Sequence, residues 1–394
     1  MDLDQLVSRD DSVFFRTYKR LGIAIERGEG CYLYTTSGEK ILDMFGGLAV
    51  NVLGYGHKRM NDAIKAQVDK YIHISNFFYQ PKQIELAEKI KKLSGFSKVF
   101  FSNSGTESIE AAIKLVRKFF LGTDKTTLVS FTGSFHGRTM GALSLTARKK
   151  YREQFQPLLP DVLHLEFNSA AELETKINER TAAVFIECLQ GEGGINPATP
   201  EFIAKLNELK KKFGFIIAAD EIQSGVGRTG TFNAFTQFGL DADIFIMAKG
   251  IGGGLPLGAI AGSDRVADVF TYGEHGSTFG GNPVAAASGV VVMEELENGL
   301  ISNNKAGGEL LRRELNTIKQ KYPQKIKEVR GMGLMAGIEL SFPGDGVVTQ
   351  LMKRNILVNC TNDNVIRLLP PFIISSDEIK LFCNAFEEVI SEMQ

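Results

Sequence analysis

From about Val99 to Ser263 the chain alternates short apolar runs, which read as buried strands, with longer amphipathic stretches, which read as helices. Strands that are apolar on both faces must be covered on both, so the alternation predicts an α/β fold: a mainly parallel central sheet with helices on either side. The predicted strands are Lys98 to Ser102, Thr127 to Phe131, Ala182 to Glu187, Phe215 to Asp220, Ile244 to Ala248 and Gly258 to Ala261. Open sheets of this kind gather ligands at the carboxyl ends of their strands, which makes the residues after each run the candidate functional ones. Residues 54–293 are expected to form this large domain. The flanking segments, 1–53 and 294–394, mix strand-like and helix-like pieces and are expected to pair as a smaller α/β domain built from both termini.

Composition narrows the function classes. With 394 residues, 43% of them hydrophobic, the chain can bury a large core. Its 45 Lys plus Arg balance 46 Asp plus Glu, so there is no positive field to draw in nucleic acid or an acidic membrane. Cys31, Cys188, Cys360 and Cys383 form no C-x-x-C pair, so neither a disulfide framework nor a zinc site is suggested, and a reducing cytoplasm fits best. The N-terminal stretch lacks the apolar core of a signal peptide, and no window approaches the roughly 20 apolar residues of a membrane span, so a soluble cytoplasmic protein is expected. The five histidines are isolated, and neither H-E-x-x-H nor G-x-S-x-G occurs; no metal or serine hydrolase is indicated.

Three motifs stand at predicted strand ends. Asn103-Ser104-Gly105-Thr106-Glu107 opens a helix, with Ser104 and Glu107 in a capping-box pattern; the free N–H groups of a helix start can seat a phosphate, although a well-capped helix needs no ligand. Gly225-Val226-Gly227-Arg228-Thr229-Gly230 matches the G-x-G-x-x-G of nicotinamide dinucleotide enzymes, with Asp243 further on. Asp220 to Ser224 intervene before its first glycine, however, and Thr229 with the short run after Gly230 makes a poor crossover helix, so a dehydrogenase is disfavoured. Asp220 and Lys249 end successive strands and should meet at one sheet edge. Taken alone they are an ion pair or two solvated strand ends. The glycines at 250, 252, 253 and 254 let backbone pass closely around a ligand and leave Lys249 partly desolvated, which favours a nucleophilic amine. A lysine that binds an aldehyde and a carboxylate that holds a pyridine nitrogen together suit pyridoxal-phosphate chemistry.

In order along the chain stand NSGTES (Asn103 to Ser108), SFHGRT (Ser134 to Thr139), ECLQGEGG (Glu187 to Gly194), DEIQSGVGRTG (Asp220 to Gly230), AKGIGGGLPLGA (Ala248 to Ala259) and HGSTFGGNP (His275 to Pro283). Through these motifs nearly the whole chain resembles the ornithine/acetylornithine aminotransferases, or class III aminotransferases. Cys188, where the family usually has proline, and Ser108, where it often has alanine, are small departures.

The resemblance implies a fold type I transferase that uses pyridoxal 5'-phosphate and works as a homodimer with shared active sites. It implies that Lys249 binds the cofactor and moves the proton between substrate and cofactor carbons, that Asp220 holds the pyridine nitrogen, and that Gln223 bonds the phenolic oxygen. Phe135 would stack on the ring, and Gly105 with Thr106 would hold the phosphate. Ser277 and Thr278 would belong to the neighbouring subunit's site, with the threonine on the phosphate. Arg138 would take a substrate carboxylate, and Tyr18 would help position an ornithine-like donor. Glu192 would cover Arg367 while the donor is bound and release it for the α-carboxylate of glutamate. The reaction expected is transfer of the side-chain amine of N-acetylornithine to 2-oxoglutarate in arginine biosynthesis. Ornithine, succinylornithine and 4-aminobutyrate are alternative donors, and a glutamate-semialdehyde aminomutase or a diaminopelargonate aminotransferase shares most of the motifs.

Overall fold

The computed structural model describes residues 3–393. Its centre is a seven-stranded sheet of β1 (Lys98–Ser102), β2 (Thr127–Phe131), β3 (Val162–Leu165), β4 (Thr181–Ile186), β5 (Ile216–Asp220), β6 (Ile244–Met247) and β7 (Gly258–Gly262), in the spatial order β1-β7-β6-β5-β4-β2-β3. β3 through β6 and β2 run parallel to their neighbours, and β7 is reversed against both β6 and β1. Of the expected strands, those at Lys98 and Thr127 have the expected bounds and the other four shift by one residue at one or both ends. The strand missed is β3, whose sequence Val-Leu-His-Leu is half exposed at the sheet edge and carries too little apolar signal to read.

Both faces of the sheet are packed, as continuous apolar strands require. Along each strand, alternate residues serve opposite cores: Phe185, Ile216, Ala218, Ile244 and Ile246 join the helix residues Ile109, Ala112 and Val116 on one side. Val184, Ile186, Ile217, Ala219, Phe245 and Met247 face the other side, against Phe202, Leu206 and Val292.

The two ends of the chain meet in one sheet. Ile25–Glu29, Tyr32–Thr35 and Lys40–Asp43 pair antiparallel in sequence, and Ile356–Leu357 joins them parallel to Lys40–Asp43. A second sheet from the C-terminal part orders Ile326–Met332, Met335–Leu340, Val365–Leu368 and Asn359–Thr361, all antiparallel. Helix Ile301–Lys321 packs against its first hairpin: a Cβ on Gly308 would lie 2.1 Å from the Gly333 carbonyl oxygen, whereas the nearest atom to one on Gly307 is 3.6 Å away.

This contact sets a test. Gly308→Ala should lower unfolding stability by about 1–3 kcal/mol because rigid backbone must move to admit the methyl group. Gly307→Ala, one residue earlier, should be neutral or stabilising by up to about 1 kcal/mol through helix propensity. Paired thermal melts decide: equal effects from the two substitutions would refute the packing argument.

Candidate active site

The carboxyl ends of the parallel strands converge on one edge of the sheet, and the predicted site residues of the central region gather there. After β1, the chain reaches an extended Ser104 and enters helix Gly105–Phe119. Ser104 Oγ accepts from Glu107 N at 3.4 Å, but the expected capping box is only half formed. The Glu107 carboxylate accepts instead from Asn103 N (2.8 Å) and Asn103 Nδ2 (2.9 Å), because asparagine offers two donors to one oxygen. Among the described residues the N–H groups of Gly105 and Thr106 have no backbone acceptor, so the start of the helix presents free donors and the positive end of its dipole. A Cβ on Gly105 would sit 2.6 Å from Ile222 Cδ1, so the start of the helix lies close against the turn after β5. Thr106 Oγ1 accepts from Arg138 N (3.3 Å) and Thr139 N (3.2 Å), tying this cradle to the turn after β2.

That turn carries Phe135 and His136. His136 Nδ1 lies 2.6 Å from Asp220 Oδ2, and Asp220 Oδ1 accepts from Ile222 N at 3.1 Å. Both side chains are buried. Burial alone would depress the histidine pKa, yet its bond to Asp220 and that carboxylate's charge raise it, so the pair behaves as a charge-assisted hydrogen bond. Glu187, at the end of β4, accepts from Phe135 N (3.0 Å) and Gly191 N (3.2 Å). Burial pushes its pKa up to about 7, with His136 opposing and the Asp220 charge adding to the rise.

Lys249 follows β6 with φ at +50°, a left-handed conformation that costs a non-glycine residue about 1–3 kcal/mol. Among the described residues its Nζ makes no hydrogen bond or ion pair. Desolvation lowers its pKa to about 8, the charges of Glu192, Asp220 and Glu187 working against the shift and Arg367 with it. About a tenth of this amine is therefore neutral and nucleophilic at pH 7, far more than of an ordinary solvated lysine.

Arg367, on strand Val365–Leu368, closes the other side and is only 2% exposed. Its Nη1 pairs with Glu192 Oε1 at 2.5 Å and also donates to Gln223 Oε1 at 3.2 Å, while Nε donates to Asn359 Oδ1 at 3.2 Å. Because Arg367 takes the Gln223 carbonyl, the amide NH2 is left as a donor. Burial raises the Glu192 pKa, but Arg367, then Lys249 and Arg148, outweigh it and hold the carboxylate below its ordinary value.

Other predicted residues lie further out. Arg138 is exposed, with its guanidinium 4.0 Å from the Tyr151 ring centroid and 5.5 Å from that of Phe135. Ser277 Oγ accepts from Asn103 Nδ2 at 3.2 Å, beside the cradle of its own chain. Thr278 is exposed, and among the described residues no hydrogen bond joins it to Thr106 or Lys249. Tyr18 is 81% exposed in the N-terminal segment, and among the described residues no hydrogen bond joins it to the rest of the site. Sequence reasoning missed His136, Glu187, Arg148 and Thr361. For the first two the signal was present, His136 lying next to Phe135 and Glu187 five residues before Glu192, each within a quoted motif.

The set comprises a desolvated amine without a partner, a buried carboxylate backed by histidine, an amide donor and free helix N–H groups. These are the complements of an aldehyde, a pyridine nitrogen, a phenolic oxygen and a phosphate, so the residues fit pyridoxal phosphate. The family model for class-III aminotransferases matches residues 13–390, and the chain belongs to that family. It is similar along almost its whole length to the acetylornithine aminotransferases of Archaeoglobus fulgidus (41% identity, 95% of this chain and 97% of that protein) and Aquifex aeolicus (42%, 95% and 98%). Among solved structures, the ornithine aminotransferase of Toxoplasma gondii superposes with a TM-score of 0.93 at 26% identity, covering 99% of this chain and 95% of that one. The Pseudomonas jessenii omega transaminase in complex with PMP does so with a TM-score of 0.92 at 26% identity, covering 98% and 97%. The chain is a pyridoxal-phosphate-dependent aminotransferase.

The depressed lysine pKa sets the pH dependence of cofactor uptake. Only neutral Lys249 attacks the aldehyde, so the rate at which apoprotein binds pyridoxal phosphate should rise about tenfold per pH unit below 8 and level off above it. Stopped-flow absorbance across pH 6 to 10 reads this directly; a rate still climbing steeply at pH 10 would mean an ordinary, solvated lysine.

Proposed function

We propose that this aminotransferase moves the side-chain amine of N-acetylornithine, or of a related N-acylornithine, to 2-oxoglutarate, giving the semialdehyde and glutamate in arginine biosynthesis. The observation that carries the reading is the Glu192–Arg367 pair. A donor that reacts at its side-chain end and an acceptor that reacts at its α-carbon must share one site, and a removable partner on Arg367 permits both. The acetylornithine aminotransferase relatives support the choice of donor.

When bound, pyridoxal phosphate supplies an aldehyde that takes up the amine and a ring that draws electrons from the reacting carbon. Asp220, backed by His136, would hold the ring nitrogen, and the Gln223 amide would donate to the phenolic oxygen. Phe135 would cover the ring face, and Gly105 with Thr106 would hold the phosphate. Lys249 Nζ would take the proton from the amine-bearing carbon of the substrate. Arg138, Tyr18 and Ser277 are assigned to the donor.

We assign Thr278 to the phosphate of a neighbouring subunit, and the homodimer this requires is supported by the surface around it. Phe77 (95% exposed), Tyr79 (96%) and Phe279 stand outward, and Asn76 Nδ2 binds the carbonyls of Ser277 and Gly280 at 3.0 Å each, joining the two loops into one apolar face. The division into 54–293 and a domain of both termini, and a cytoplasmic location, complete the proposal; among the described residues no helix is long and apolar enough to cross a membrane.

Titrating the holoenzyme's visible absorption with N-acetylornithine, N-succinylornithine, ornithine and 4-aminobutyrate, without acceptor, should bleach the cofactor band at lowest concentration with N-acetylornithine. A stronger response to 4-aminobutyrate would reassign the substrate. Glu192→Gln should leave Arg367 open at all times. The half-reaction with N-acetylornithine should then slow about tenfold or more, while that with 2-oxoglutarate is retained. An unchanged ratio of the two rates would remove the switch.

A further inference from the structure

The switch leaves one question of physical chemistry: where the Glu192 carboxylate goes when a substrate carboxylate takes Arg367. The turn that carries it is fixed. Gly191 N donates to Glu187 (3.2 Å), Gly193 O accepts from Asn196 Nδ2 (2.8 Å), and Gly194 O accepts from Arg330 Nε (2.9 Å). The main-chain oxygen of Glu192 itself is held twice, by Thr361 Oγ1 at 2.7 Å and by Arg148 Nη2. Release of Arg367 must therefore come from the side-chain torsions of Glu192, not from movement of the turn.

The side chain is only 19% exposed, so a displaced carboxylate left unpaired there would be costly. Three cations act on it: Arg367, Lys249 and Arg148. The first is taken by the incoming carboxylate and the second by the chemistry. Arg148 spends one amino group on the Glu192 carbonyl, and among the described residues no carboxylate pairs with it. It is a half-buried cation, without a counter-ion, already touching the residue that must find a new one.

We propose that Arg148 is the second station of the switch, a positioning residue onto whose unpaired guanidinium edge the Glu192 carboxylate turns when Arg367 receives the α-carboxylate of 2-oxoglutarate or glutamate. This rests on the switch reading of Glu192 and Arg367. Arg148 thereby stabilises the open state, and two guanidinium groups share one carboxylate between the two halves of the reaction.

The test monitors both half-reactions of the holoenzyme by single-turnover absorbance in Arg148→Gln, Arg148→Lys and Thr361→Val. Arg148→Gln should slow the 2-oxoglutarate half-reaction about tenfold while the N-acetylornithine half-reaction changes by less than about twofold. That displaces the ratio in the direction opposite to Glu192→Gln. Arg148→Lys should recover part of the loss. Thr361→Val, which loosens the same carbonyl without removing a cation, should leave the ratio unchanged. If Arg148→Gln alters both half-reactions equally or neither, while Glu192→Gln shifts their ratio, the assignment of Arg148 is overturned alone. If Glu192→Gln also leaves the ratio unchanged, the switch reading falls and this proposal with it.

Discussion

An amine withdrawn from water, given no acceptor and set beside carboxylates is the constraint on which the rest of this molecule depends. Lys249 is that amine, and folding must support it in two ways. Its backbone sits at positive φ, a strain that the surrounding structure has to hold in place. The Ser288 hydroxyl donates to Gly252 O at 2.9 Å, locking the turn just past the lysine against helix Pro283–Glu295. The second support is the sheet: because β5 and β6 are parallel with Asp220 opposite Ile246, Lys249 and Asp220 leave at the same edge. Reversing either strand would send one of the two groups to the far side of the core.

Around the lysine the charges form two systems with different tolerances. Asp220, Glu187 and His136 are all buried, and two carboxylates so close resist being ionised together. The histidine, bonded to Asp220 and acting on Glu187 by its charge, reduces the conflict, and the raised pKa of Glu187 absorbs the remainder. This system has no spare partner and suits a fixed role. Glu192 and Arg367 form the second system. A lone buried arginine would be costly, but on the proposed reading an incoming substrate carboxylate would restore to Arg367 what Glu192 removes, and the pair would open without leaving that charge unmatched. On that reading, fixity at one end of the site and exchange at the other would result from how many counter-charges each end holds.

Much of this was legible in the sequence because buried parallel strands leave an unbroken apolar signature and catalytic residues lie just past their ends. That rule singled out Asp220, Lys249, Gly105 and Thr106 as candidates, and the resemblance gave them their roles. β3 was illegible because its four residues are half exposed and a histidine breaks the short apolar run. The Ser104–Glu107 box misled because the glutamate found Asn103 one residue closer to the strand, a competition that sequence spacing does not rank. Arg148 and Thr361 reach Glu192 from 44 and 169 residues away, and no periodicity links such positions. The Thr361 contact exists only once the C-terminal sheet has docked.

That docking explains the glycine-rich segment that imitates a dinucleotide fingerprint. Arg228, within it, is buried and donates from Nη1 to Leu334 O (3.1 Å) and Pro370 O (2.5 Å), its guanidinium 4.4 Å from the Phe372 ring centroid. Burial lowers its pKa to about 9, with Asp43 opposing. Gly227 lies against Leu296 and Phe372, so this loop approaches the C-terminal part of the chain as closely as a phosphate loop would approach its ligand. Asp220, Gln223 and Arg228 thus sit within nine residues: the first two face the site, and the third fixes the sheet that brings Arg367 to Gln223. A loop read as a nucleotide clasp instead sets the distance between the two halves of an active site, and its glycines serve backbone contact with protein.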